Sequence, residues 1–235
     1  MAEAVLKVEG LQAWYGESHV LHGVNFTVNK GEVVTLLGRN GAGRTSTLRS
    51  IMGLVGRRSG SIAVNGVETV AMSTHRIAHL GIGYCPEERA IFSSLSVEEN
   101  LTLPPKVGEG GMSIDEIYEM FPNLRERRKT AQGTKLSGGE QQMLAMARIL
   151  RTGAHLLLLD EITEGLAPVI VQAIGRVIVK LKERGFTIVL VEQNFRFAAP
   201  LADRHYVMEH GRIAESFAAS ELESKTGMLH EYLGV

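Results

Sequence analysis

The chain has 235 residues, a single cysteine, and 25 Lys+Arg against 26 Asp+Glu. Balanced charge argues against nucleic acid as the main partner, because duplex binding depends on a strong basic field, and the lone Cys85 excludes an internal disulfide and fits a reducing compartment. The length suits one sizeable α/β core with a small appended subdomain, Met1-Ala2-Glu3-Ala4 lacks a signal-peptide pattern, and the longest uncharged apolar stretch, 165–175, falls short of the roughly 18 residues that span a bilayer.

Residues 5–37 read as strands. Val5 to Glu9 alternates apolar and polar, Val20 to Val28 does so less cleanly, and Asn29-Lys30-Gly31 is turn chemistry. Trp14 and Tyr15 fall in the first connection, where an aromatic either stacks on a nucleobase or covers the core edge. The apolar run Val33 to Leu37 then leads into Gly38-Arg39-Asn40-Gly41-Ala42-Gly43-Arg44-Thr45, and a helix-competent segment, Thr45 to Met52, follows. Strand, glycine-rich turn and helix in that order are the context of a phosphate-binding loop. Glycines admit positive φ and let main-chain N–H groups converge on an anion at the helix N-terminus. Thr45 offers a hydroxyl to a Mg²⁺ ion. Position 44 departs from the pattern G-x-x-x-x-G-K-[ST], with Arg where Lys is expected. Arg keeps the charge but is planar and forked.

Ser61 to Val67 is a hairpin signal with Asn65-Gly66 at its turn. Thr74 to Leu80 reads as helix, stopped by Gly81. His75 and His79 share a face of it, without a third ligand at zinc spacing. Ile82 to Cys85 is a short strand ended by Pro86. Residues 87–135 change character. Ser96-Val97-Glu98-Glu99 and Ser113-Ile114-Asp115-Glu116 have capping-box spacing, and Pro104-Pro105 and Gly108 to Gly111 interrupt them. This stretch reads as a helical insertion, with Arg125, Arg127, Arg128 and Lys129 on a solvated face.

Leu136-Ser137-Gly138-Gly139-Glu140-Gln141-Gln142 opens the next helix with a third capping box. Its two glycines cost helix stability, so a second phosphate-facing helix N-terminus explains them better than a cap alone. His155 to Leu159 is a continuous apolar run, the mark of a strand buried on both faces of a parallel sheet. Asp160 and Glu161 end it, where such sheets bind ligands. Asp160 is placed to hold Mg²⁺ through water and Glu161 to polarise an attacking water. Helix Pro168 to Arg184 and strand Phe186 to Val191 follow. Gln193, after that strand, either points at the same site or caps the next helix. Residues 205–216 read as a hairpin turning at His210-Gly211, and a helix closes the chain.

Taken together, these segments resemble the ATP-binding subunits of ABC transporters over essentially the whole chain. Gly38 to Thr45 resembles Walker A, Leu136 to Gln142 the LSGGQ signature, and Leu156 to Glu161 Walker B. Ile51-Met52-Gly53-Leu54, Pro86-Glu87, Ser96 to Leu101, Thr163 to Pro168 and Val191 to Asn194 are similar to the second ATPase subunit of branched-chain amino acid importers. The resemblance implies a P-loop NTPase core of the ABC ATPase type in one domain, with an N-terminal antiparallel β subdomain. Residues 1–86 and 136–235 form the core and 87–135 the helical subdomain. It implies ATP and Mg²⁺ as cofactors, with Tyr15 on adenine and Gly38, Arg39, Asn40, Gly41, Ala42, Gly43 and Arg44 on the phosphates. Thr45, Ser46 and Asp160 lie at the metal. Glu87 takes the Q-loop position, where Gln is usual, and Gln193 the switch position, where His is usual. Ser137, Gly138, Gly139 and Glu140 would close over the nucleotide of a second ATPase chain, like or unlike this one, in a head-to-tail dimer. Permease subunits, indirectly a substrate-binding protein, and the cytoplasmic face of the cell membrane complete the implied setting, with no nucleic acid. Two departures stand beside the γ-phosphate: Arg44, and Ile162 where Pro usually follows the Walker B pair. They motivate a second reading, a nucleotide-binding subunit that closes on another ATPase and hydrolyses little itself. A third, a soluble ABC protein of repair or translation, lacks a second cassette, heptads or a basic field.

Overall fold

The computed structural model describes residues 3–129 and 132–233. Two long strands, β1 (Ala4–Tyr15) and β2 (Ser18–Asn29), form a hairpin, followed by β3 (Val33–Leu37) and helix α1 (Arg44–Ile51). A second hairpin, β4 (Arg57–Val64) and β5 (Val67–Glu68), turns at Asn65-Gly66, both at positive φ as an Asn-Gly turn requires. Helix α2 (Thr74–Ala78) leads to β6 (Ile82–Cys85). The stretch between β6 and the next long helix carries α3 (Val97–Thr102), α4 (Ile114–Met120) and α5 (Pro122–Glu126). Then come α6 (Gly138–Arg151), β7 (Leu156–Asp160), α7 (Pro168–Glu183), β8 (Thr187–Val191) and α8 (Phe195–Ala198). The chain ends in hairpin β9 (Arg204–Glu209) and β10 (Arg212–Ala218) and helix α9 (Leu222–Leu233).

The strands sort into two sheets. One is antiparallel, in the order β2-β1-β4-β5. The other runs β10-β9-β3-β8-β7-β6, parallel throughout except for the β10 edge. Strict alternation divides each core strand between two hydrophobic layers. Val34, Leu36, Leu156, Leu158, Val189 and Val191 face the antiparallel sheet and α1. Val33, Leu37, Leu157, Leu159, Ile188 and Leu190 face the helices, sharing a cluster with Val97, Leu101, Ile117 and Phe121 of α3, α4 and the α4–α5 junction. All residues of β3, β7 and β8 are buried, which explains why their sequences are apolar apart from Thr35, Asp160 and Thr187.

The helix expected over Thr74 to Leu80 ends at Ala78, and two larger expectations on boundaries change. Trp14 and Tyr15 belong to β1 rather than to the connection after it. Trp14 stacks on His19 with centroids 4.4 Å apart and carries the Arg57 guanidinium at 4.5 Å, so its faces are occupied. The second hairpin starts at Arg57, not Ser61, because Arg57 and Arg58 pair with Trp14 and Ala13. Arg58 also donates to the carbonyls of Ser50, Thr69, Val70 and Met72, tying β4 to α1 and to the segment before α2. The three capping boxes at Ser96, Ser113 and Ser137 form as the spacing predicts.

His205 on β9 has no exposed surface, pairs with Thr35 Oγ1 at 2.7 Å, and lies between Phe195 and Phe217. Burial pushes its pKa down from 6.5 to about 4. The unfolded chain therefore takes up a proton below pH 6.5 that the folded chain refuses until about pH 4. Its stabilising contribution is complete above pH 6.5 and lost as pH falls through that window, on the order of 3 kcal/mol in total. Thermal melts of the native chain and His205→Gln at stepped pH test this: the native chain's margin over the variant shrinks from pH 7 to pH 4.5. A margin constant with pH contradicts it.

Candidate nucleotide-binding site

The loop 38–45 wraps the N-terminus of α1 at the C-terminal end of β3. Gly38 is compelled by space: a Cβ there would stand 2.5 Å from the Met208 carbonyl oxygen. Gly41, with open space around it, is compelled by φ of +81°. The first-turn N–H groups of α1 have no intrahelical acceptor and present an anion site. A cleft of about 380 Å³ opens in front of them, lined by Asn40, Gly41, Ala42, Gly43, Arg44, Thr45, Ser46, Glu87 and Glu161, with Val20 and Glu164.

Two carboxylates, Asp160 and Glu161, organise its floor through long-range contacts. Thr45 Oγ1 donates to Asp160 Oδ1 at 3.0 Å, and Tyr84 Oη donates to Asp160 Oδ2 at 2.9 Å. Asp160 is wholly buried, which raises its pKa against the opposing pull of Tyr84, Thr45 and Arg44. Burial, with help from Asp160, pushes the Tyr84 phenol up, so it remains a donor. A hydroxyl and a carboxylate in contact are the hard oxygen donors that Mg²⁺ takes, and Thr45 can give a lone pair to a cation while its O–H still donates to Asp160.

The second carboxylate forms an ion pair. Arg44 Nη2 donates to Glu161 Oε1 at 2.8 Å and to Asn40 Oδ1 at 3.2 Å. Both side chains are largely buried, 3% and 12% exposed. Arg44 Nη1 is buried with no partner among the described residues. Glu161 sits just past β7 at φ +45°, a strained setting for a non-glycine residue, and its N–H is tied to the Val191 carbonyl at 2.9 Å. A following proline would restrict that backbone; Ile162, buried in the helical layer, imposes no such limit. Burial pushes the Glu161 carboxyl up to about 7; Arg44 opposes this, and Glu164 and Glu87 add to it. Oxygens of Glu87, Glu161 and Glu164 lie within 4.8 Å of one another.

Gln193 lines a neighbouring cleft that shares Glu161 and Glu164. The competing expectation for Gln193, capping the next helix, falls to Asn194, whose side chain accepts from the Phe197 N–H. Other expected residues lie apart. Tyr15 is 42% exposed and outside the cleft lining. The Arg39 guanidinium turns to the Glu231 carbonyl on α9. Ser137 to Glu140 stand at the head of α6, away from the loop's lining. There the Glu140 carboxylate serves its own helix, bonding the Ser137 N–H at 2.7 Å and Arg127 at 3.0 Å. The two glycines also have a packing reason. A Cβ on Gly139 would meet Ile170 at 2.8 Å, and one on Gly138 would meet the Arg89 guanidinium at 3.1 Å.

Sequence reasoning missed Tyr84 and Glu164. It also missed Glu192, whose buried carboxyl, pushed up to about 7 by desolvation, accepts from Thr163 N and Oγ1 and anchors the turn after Glu161. Strand ends were the available signal: Tyr84 and Glu192, like Asp160, stand at or next to the C-terminal edge of the parallel sheet.

A helix N-terminus wrapped by a glycine loop, facing two carboxylates at the end of a parallel strand, defines a phosphate-binding protein of the P-loop class. The family described as ABC transporter matches residues 21–164. The high-affinity branched-chain amino acid transport ATP-binding protein BraG of Pseudomonas aeruginosa is 42% identical over 233 residues, covering 98% of this chain and all of its own length. The probable branched-chain amino acid transport ATP-binding protein LivF of Archaeoglobus fulgidus is 39% identical over 222 residues, covering 93% of this chain and 94% of its own. Among solved structures, a dimeric post-hydrolysis ATP-binding cassette bound to ADP and Pi superposes with a TM-score of 0.78 at 24% identity, over 91% of this chain and 98% of its own. The chain belongs to the ABC transporter family and has the fold of its ATP-binding cassettes. Among the described residues no helix is long and apolar enough to cross a membrane.

Proposed function

We propose that this chain is the ATP-binding and ATP-hydrolysing subunit of an importer for branched-chain amino acids. The observation that carries the reading is the meeting of Arg44 with Glu161 and of Thr45 with Asp160 in one cleft at the C-terminal edge of the sheet. The substrate class rests on the two relatives whose names specify branched-chain amino acid transport.

The loop N–H groups of Gly41 to Ser46 bind the phosphates, and Arg44 adds its guanidinium fork. Thr45 and Asp160 would hold Mg²⁺, which would supply charge neutralisation on the phosphate oxygens. Glu161 accepts a proton from the attacking water; a carboxyl lifted toward neutrality is suited to that task. Gln193 orients the same water from the end of β8. Tyr15, exposed at the end of β1, stacks on adenine. Ser137, Gly138 and Gly139 close over the nucleotide of a second cassette, a like or unlike chain, in a head-to-tail pair. Residues 87–135, with Glu87 at their root, dock on a membrane-spanning subunit at the cytoplasmic face and pass the closure to it.

A second reading has its own observation. Arg44 holds the very carboxylate that must act as base. A chain built to bind ATP and close on a more active partner would look the same.

The test is uptake of labelled leucine, isoleucine and valine in cells whose native chain is replaced by Glu161→Gln. Uptake falls at least about tenfold if this subunit supplies the hydrolysis. Unchanged uptake of all three overturns the assignment.

A further inference from the structure

We propose that Tyr84, on β6, is a positioning residue for the metal end of the site: its phenol fixes the Asp160 carboxylate and thereby sets the affinity for the divalent cation. This rests on the reading of Asp160 as a metal-holding residue. β6 and β7 run parallel with Tyr84 opposite Leu158 and Cys85 opposite Leu159. Alternation puts Leu158 and Asp160 on one face of β7, and Tyr84 packs against the cluster that contains Leu158. Asp160 is therefore two residues, about 6.6 Å, further along the neighbouring strand. A tyrosine reaches across that step, and its Oη arrives 2.9 Å from Asp160 Oδ2.

The consequence is an oriented carboxylate. Oδ2 receives Tyr84, and Oδ1 receives Thr45 at 3.0 Å. Two hydroxyls at the two oxygens fix both the carboxylate plane and which oxygen faces the α1 N-terminus. No Lys or Arg pairs with Asp160 among the described residues, so neutral donors do the orienting and its charge is left for a cation. Without the phenol, Oδ2 of a wholly buried side chain has no donor among the described residues. The carboxylate then turns to share its remaining partner, and the pairing of Oδ1 with Thr45 is lost. Hydrogen bonds to a metal-ligating group typically govern metal affinity by about 10–100-fold.

The experiment compares native protein, Tyr84→Phe and Asp160→Asn in three measurements. These are ADP affinity in EDTA, Mn²⁺ affinity of the ADP-loaded protein by electron paramagnetic resonance, and the melting temperature. Tyr84→Phe keeps the ring and removes only the hydroxyl. The expected result is Mn²⁺ affinity weakened at least about tenfold with metal-free ADP affinity within about twofold of native. Mn²⁺ affinity unchanged in Tyr84→Phe but weakened in Asp160→Asn overturns the role of Tyr84 alone. Mn²⁺ affinity unchanged in both overturns the metal reading of Asp160 and this inference with it. A parallel loss of Mn²⁺ affinity, metal-free ADP affinity and melting temperature marks Tyr84 as a packing residue and overturns the inference as well.

Discussion

Replacing Glu161 by Gln lowers ATP turnover by about 10²–10⁴-fold while leaving nucleotide binding in place. The geometry makes this a clean substitution. The backbone of residue 161 is held at φ +45° by the N–H bond to Val191, which Gln retains. The side chain keeps an oxygen that accepts from Arg44 Nη2, so the phosphate end of the cleft is undisturbed. What disappears is the group that takes a proton, a carboxyl whose burial lifts it to about 7, near the working pH. Phosphate release under saturating Mg-ATP, paired with equilibrium ATP titration, checks both halves. Turnover equal to native in Glu161→Gln would sink the assignment of the base.

Replacing Arg44 by Met weakens nucleotide binding by about a hundredfold, or about 2.7 kcal/mol. Arg44 is almost fully buried, and its fork has one nitrogen on Asn40 and Glu161 and another, Nη1, with no partner among the described residues. A phosphate oxygen satisfies that donor, and a charge-assisted hydrogen bond contributes about 1.5–3 kcal/mol. Met preserves much of the stem but leaves Glu161 facing Glu87 and Glu164 with no cation in ion-pair reach among the described residues. An added phosphate then meets three carboxylates unscreened. Calorimetric titration with ADP measures the loss; affinity within about threefold of native would mean the loop amides alone carry the phosphates.

How much of this was legible in the sequence depends on the range of the interaction. β3, the glycine loop and α1 are adjacent in the chain, and each announces itself: a strand apolar but for Thr35, glycines at positive φ, a helix start. The capping boxes at Ser96, Ser113 and Ser137 close within four residues and formed as expected. The strand-end rule brought Asp160, Glu161 and Gln193 to one edge. Apart from the early end of α2 at Ala78, the failures are at long range. β4 begins at polar Arg57-Arg58-Ser59 because β1 pairs with it, and nothing local marks that start. The same pairing carries β1 through Trp14. Tyr84 meets Asp160 only through the register of β6 on β7, and Arg44 meets Glu161 only through the stacking of β3, β8 and β7. A sequence gives the residues at strand ends, but not which end stands beside which.

The most direct test of the central claim is steady-state phosphate release from the purified chain with Mg-ATP, beside its Arg44→Lys variant. The account predicts divalent-dependent release by the native chain, at a rate within about tenfold of the Lys variant, because a phosphate draws the guanidinium off Glu161 and frees the base. A native chain that binds ATP but releases no phosphate, revived by Lys at position 44, would contradict it and make the Arg44–Glu161 pair a brake rather than a resting state.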